Sequence, residues 1–158
     1  MNLAFLRIAA LSLSLSLTAG ASFAADTAPV NDKFTPARAK IAEKNWTAAI
    51  DELKKVNDPA SAEWNNLMGY SLRKADPANA GEAEKFYNEA LRIEPRHRGA
   101  LEYSGELYLM TGNLAKAEER LAALDKACFL PCEEYKDLKN AVARYKAAGN
   151  KYVAPEKW

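Results

Sequence analysis

The residues with the most chemistry to offer are Cys128 and Cys132, which flank Phe129-Leu130-Pro131. In one regular helix they would stand a turn apart, with Cβ atoms about 5–6 Å from each other. A disulfide needs roughly 3.5–4.5 Å. Pro131 breaks helical geometry and should end one helix and start the next, drawing the pair around a tight bend. A structural disulfide is expected there; free buried thiols, or a redox or metal-handling pair, are the alternatives that the spacing leaves open. His97 is the one histidine of the chain and lies between Arg96 and Arg98, just past Pro95. Two flanking guanidiniums make it a poor metal ligand, so it reads as part of an exposed turn. Carboxylates are plentiful but stand at helical surface spacing near cations, as in Asp51-Glu52 beside Lys54-Lys55, which describes a solvated helix face. The sequence carries no glycine-rich phosphate loop, HExxH, CxxC or nucleophile elbow. The expectation is a protein with no catalytic residues, no metal and no cofactor.

The elements that would position these residues emerge from self-comparison. Asn45, Asn79 and Asn113 recur every 34 residues, and so do Ala49, Ala83 and Ala117. The same offset joins Leu53, Tyr87 and Leu121, and then Val56, Ala90 and Leu124. Each set advances by 4, 4 and then 3 residues, one face of an α-helix. The pattern predicts three copies of one helix: an Asn that caps the first turn, a small Ala where another helix approaches, and bulkier residues behind it.

A partner helix is predicted before each copy. Thr35-Pro36 opens a short one running to about Glu43. Trp64, Met68, Gly69 and Leu72 stripe the second, with Asp58-Pro59 read as its cap and first residue. Leu101, Gly105 and Tyr108 stripe the third, over 98–110, ending at Thr111-Gly112. Gly69 and Gly105 lie 36 residues apart, so two residues are inserted at Asp76-Pro77-Ala78. A last helix is predicted to start at Pro131, with Glu133 and Glu134 at its positive end, Tyr135, Leu138, Val142 and Tyr145 inward, and its stop at Gly149. That makes seven helices and no strand.

Compartment and charge come next. Arg7 precedes an uncharged apolar run over residues 8–18, and Ser22 and Ala24 fit the −3 and −1 positions of a signal-peptidase site. Residues 1–24 therefore read as a signal peptide, with mature Ala25 first and a periplasmic or secreted location. The run is about half of the roughly 20 apolar residues that span a bilayer, so stable membrane insertion is not expected. With 22 Lys+Arg against 21 Asp+Glu, bulk charge gives no argument for nucleic-acid binding.

The period and the residues Leu67-Met68-Gly69, Ala83, Tyr87, Ala90 and Pro95 resemble the tetratricopeptide repeat. The third copy keeps Gly105, Tyr108, Gly112, Ala117 and Leu121, with Leu124 for a small residue and Phe129 for the closing proline. The first copy keeps Trp46 and Ala49. The resemblance implies an all-α fold: a right-handed α-solenoid of about three helix–turn–helix repeats over residues 34–129. A capping helix over 130–149, a flexible segment over 25–33 and a tail over 150–158 complete the expected layout.

The resemblance also implies a concave groove lined by the first helix of each pair. Its expected residues are Arg38, Glu63, Asn66, Tyr70, Arg73, Glu102, Glu106 and Met110. Glu102 and Glu106 stand where relatives that grip a C-terminal carboxylate place cations or amides. An acidic tail is therefore a poor ligand, and a protein or peptide partner with a basic segment fits better. The sequence is similar to small periplasmic tetratricopeptide-repeat proteins, and the implied function is a non-catalytic adaptor or scaffold.

Overall fold

The computed structural model describes residues 32–130 and 132–154. The expected signal peptide, most of the segment over 25–33, Pro131 and the last four residues lie outside the described residues. Seven α-helices follow in order: α1 (Thr35–Ala42), α2 (Trp46–Val56), α3 (Ala62–Ala75), α4 (Ala80–Ile93), α5 (Arg98–Met110), α6 (Leu114–Ala127) and α7 (Glu133–Ala147). One 3-10 turn, Pro77–Asn79, precedes α4, and no strand occurs among the described residues.

Local chemistry sets the helix starts. The side-chain oxygens of Asn45 and Asn113 accept the amides of Ala48 and Lys116 at 3.3 and 3.1 Å, capping α2 and α6 as expected. Asn79 does not cap α4. The inserted Asp76-Pro77-Ala78 forms the 3-10 turn, Asp76 accepts the amide of Ala78 at 2.8 Å, and the chain enters α4 already helical. The Asn79 amide instead donates back to the carbonyl of Leu72 at 3.4 Å. The α3 start also differs from the Asp58-Pro59 reading. Residues 58–61 make a turn that reverses the chain after α2, and Ser61 caps α3 by accepting the amide of Trp64 at 3.3 Å. Gly112 takes a φ of +78° after α5, the left-handed turn that only a residue without Cβ adopts freely.

The helices pair as α1–α2, α3–α4 and α5–α6, and each second helix also packs on the next first helix, giving an α-solenoid. Ala49, Ala83 and Ala117 are fully buried, together with Leu53, Tyr87, Ala90 and Leu124 behind them. Polar bonds tie neighbours across the stack. Trp64 Nε1 donates to the Leu53 carbonyl at 2.7 Å, Tyr108 donates to Glu84 at 3.0 Å, and Arg96 donates to the last carbonyls of α6, Lys126 and Ala127. The α7 helix covers the end of the stack, burying Leu138, Ala141, Val142 and Tyr145 against α5 and α6. Phe129 and Leu130, by contrast, stand 99% and 72% exposed.

Two helix approaches depend on missing side chains. A Cβ on Gly69 would lie 2.9 Å from the Tyr87 ring, and one on Gly105 would lie 2.5 Å from Leu138 Cδ2. Gly105→Ala, Ala83→Leu and Ala117→Leu are each expected to overpack an interface and lower stability by about 1–3 kcal/mol. Denaturant midpoints decide this. Unchanged midpoints in the three variants would mean that these contacts do not hold the stack.

Candidate functional site

The first helices α1, α3 and α5 share one face, and α3 and α5 meet there in a ladder. Positions 63, 66, 70 and 73 form a single stripe along α3, since they advance by helical steps. Across from them on α5 or its entry stand positions 97, 99, 103 and 106. His97 Nε2 lies 3.0 Å from Glu63 Oε2. Asn66 faces Gly99, where a Cβ would come within 3.0 Å of the amide nitrogen. Tyr70 and Tyr103 rings sit 4.6 Å apart, tilted by 44°. Arg73 donates to Glu106 at 3.0 Å, and its other terminal nitrogen lies 3.5 Å from Met110 Sδ. Trp46 extends the aromatic row, edge-on to Tyr70 at 5.9 Å, and Lys74 lies over both rings.

The upper part of this face opens into a cavity of about 680 Å³. Of the eight expected groove residues, Arg38, Glu63, Asn66, Tyr70 and Glu102 line it. Arg73, Glu106 and Met110 do not. Arg73 and Glu106 side chains are only 1% and 4% exposed, so the lower end of the face is a buried ion pair that locks α3 to α5. The family resemblance places all eight on the groove face, but only the packed structure shows which of them α5 and α7 cover.

Nine lining residues were not among the expected groove positions, Tyr103, Gly99, Glu134 and His97 among them. Shifted by the 36 residues that separate Gly69 and Gly105, the α3 stripe falls on positions 99, 102, 106 and 109 and misses Tyr103. Glu134 was read only as a helix-end charge, yet it also lines the cavity and pairs with Arg98 Nε at 3.6 Å. His97 was read as an exposed turn residue. Its side chain is 12% exposed and does two jobs. Nδ1 accepts the amide of Ala100 at 3.2 Å, capping α5, so Nε2 carries the hydrogen that points at Glu63.

The carboxyl groups differ sharply in environment. Burial alone would raise Glu63, but the His97 hydrogen bond, the Arg38 guanidinium and the Asn66 amide together hold it below the usual carboxylate range. Glu102 has no such help. Burial, then the neighbouring Glu106, Asp137 and Glu134, pushes its carboxyl up to about 9. Burial likewise raises Glu106, with Arg73 opposing. Glu102 is therefore uncharged at neutral pH.

Elsewhere, Cys128 and Cys132 bracket the junction of α6 and α7, with Cα atoms 5.9 Å apart and sulfurs at bonding distance. Among the described residues no three His, Cys, Asp or Glu side chains gather as metal ligands, and no helix is long and apolar enough to cross a membrane.

Residues 75–142 match a family model described as tetratricopeptide repeat, running from the end of α3 into α7. Among solved structures, the chain is similar to the Yersinia enterocolitica type III secretion chaperone SycD, crystallised in complex with a peptide of the translocator YopD. The sequences are 17% identical, the match covers 75% of this chain and 89% of that one, and the TM-score is 0.60. That likeness is one of fold. No curated protein matches the sequence.

The Glu102 environment sets an expected pH dependence. Its carboxyl holds a proton in the folded chain up to about 9, whereas in the unfolded chain it ionises near its ordinary 4.5. Its contribution to stability is therefore full below the ordinary value and lost as pH rises towards the folded one. Glu102→Gln mimics the protonated group and should flatten this decline, raising stability at alkaline pH by roughly 1–3 kcal/mol. Denaturant melts of both proteins across that range measure it. Parallel curves would show that Glu102 is ionised in the folded chain.

Proposed function

We propose that this chain, a tetratricopeptide-repeat protein, is an exported adaptor that holds a peptide segment of a partner protein on its concave face and catalyses no reaction itself. The observation that carries the reading is the open cavity of about 680 Å³ on the shared face of α1, α3 and α5. Most of its lining stands on α1, α3 and α5, with Glu94, Arg96 and His97 added from the turn before α5 and Glu134 from α7. It combines two tyrosine rings with four carboxyl groups and three arginines, and because the arginines are already paired, the rings and carboxyl groups favour a segment carrying basic residues. The solved chaperone of similar fold supports the peptide reading by analogy, since it holds a translocator peptide. Export follows from the charged start, the apolar run over 8–18 and the Ser22-Phe23-Ala24 site. In an oxidising compartment Cys128 and Cys132 would persist as a disulfide that staples the third repeat to α7.

Two measurements test this. A photo-crosslinking residue at Arg38 or Glu134 should capture the partner in cells, and one at Lys85 or Glu89 on the outer helix α4 should not. Equal capture from both faces would sink the groove reading. Intact mass of protein from the exported fraction should correspond to a chain starting at Ala25 and lacking the two thiol hydrogens. A full-length, reduced chain recovered only from the cytoplasm would reject export and the staple together.

A further inference from the structure

We propose that the gap between Asn66, Gly99 and Glu102, beside the ring pair of Tyr70 and Tyr103, is a socket for one arginine side chain of the bound segment. This rests on reading the concave face as the peptide-binding surface. The gap lies beside the rung that Asn66 and Gly99 close, in the cavity that both line with Glu102 and the two tyrosines. Asn66 projects towards Gly99, which offers no side chain in return.

One hydrogen-bond acceptor without a donor lines that gap. Glu102 is 6% exposed, lines the cavity, and makes no hydrogen bond or ion pair among the described residues. Asn66 beside it is 4% exposed; its Nδ2 donates to Glu63 Oε2 at 3.3 Å, and its Oδ1 is closed off from solvent. A buried acceptor without a donor is costly, so a ligand that supplies N–H groups gains at Glu102.

The cations already around the cavity do not serve. Arg38 pairs with Asp32 and Glu63, Arg98 with Glu134, Arg96 with the α6 carbonyls, and His97 with Glu63. Arg73 sits further down, on Glu106.

The walls select the shape of the cation. The Arg73 guanidinium carbon already lies 5.7 and 6.0 Å from the Tyr70 and Tyr103 ring centres, so these rings accommodate a guanidinium from below. A second guanidinium, planar and with five donors in fixed directions, can lie against the rings while its edge reaches the Glu102 carboxylate. A lysine ammonium has the charge but neither the plane nor the fork.

The charged and titratable groups around Glu102 are Arg73 and Tyr70 from α3, Glu106 and Tyr103 from α5, and Glu134 and Asp137 from α7. Burial, and then the neighbouring acids, keeps Glu102 protonated, with Arg73 opposing. An arriving guanidinium supplies the missing counter-charge: the Glu102 proton passes to bulk water and the carboxylate forms the ion pair. Binding is therefore coupled to release of a proton.

The experiment uses the full chain and blocked tripeptides, acetyl-Ala-Arg-Ala-amide and its lysine and citrulline counterparts, titrated by NMR against the wild type and Glu102→Gln. Citrulline keeps the shape and loses the charge. The expected result is saturable binding of the arginine peptide, with shifts on α3 and α5 and at both tyrosine rings. Affinity should fall about tenfold or more with citrulline or with Glu102→Gln. Wild-type affinity should rise from about pH 6 to about pH 9, and the variant should lose that slope. Equal affinity for the lysine or citrulline peptide, or no binding, would overturn the socket. Arginine binding that survives Glu102→Gln with shifts still on α3 and α5 would also overturn it while keeping the groove. Shifts confined to α4 and α6 would overturn both.

Discussion

The concave face depends on the absence of a side chain at Gly69. Because α3 has no Cβ there, the ring of Tyr87 on α4 closes directly against its backbone, and Tyr87 becomes fully buried. The Tyr87 hydroxyl then lies next to the Arg73 guanidinium, one turn along α3. Arg73 in turn holds Glu106 on α5 at 3.0 Å. Glycine, tyrosine, arginine and glutamate thus form a chain of contacts that sets the spacing of α3 and α5. The rungs above it, Tyr70 on Tyr103 and Glu63 on His97, inherit that spacing. A bulkier residue at position 69 would push α4 away and loosen every later contact in the chain.

Burying Arg73 with Glu106 is not by itself a source of great stability, since desolvating two ions offsets most of their attraction. Its effect is on geometry. A buried pair tolerates little displacement, because separating the charges leaves each one uncompensated. The pair therefore closes the lower end of the face and leaves the upper end open. Glu102, one turn before Glu106 on the same side of α5, would put a second negative charge beside the first. Holding it protonated resolves the conflict, and leaves a carboxyl group that a cation can switch.

At the other end of the stack, α7 takes the place that a further repeat would take. It presents Leu138 to the bare backbone of Gly105 and lays Val142 and Tyr145 over the last apolar surface. Its outward residues are mostly charged, as the terminal helix of a stacked array requires. Glu134 near its start also lines the cavity, and Asp137 adds its charge to the surroundings of Glu102, so this helix serves the face as well as the core.

The sequence by itself determined the helices and their order. A 34-residue recurrence of capping, small and bulky residues can be satisfied only by repeated helix pairs, and Ala49, Ala83 and Ala117 were legible as contact points for that reason. Departures came where local chemistry offered two solutions, as at Asn79, where a proline-led turn replaced the cap, and at Ser61, which capped α3 in place of Asp58. The groove positions came from the resemblance to the repeat family, which assigns residues to the concave face. Periodicity carries no information about what lies opposite that face. Whether Arg73 meets solvent or Glu106, whether Asn66 faces a side chain or Gly99, and whether Glu102 keeps its proton depend on the distance between two helices and on what α7 covers. Those are decided by packing between segments more than 30 residues apart, and only the tertiary structure contains them.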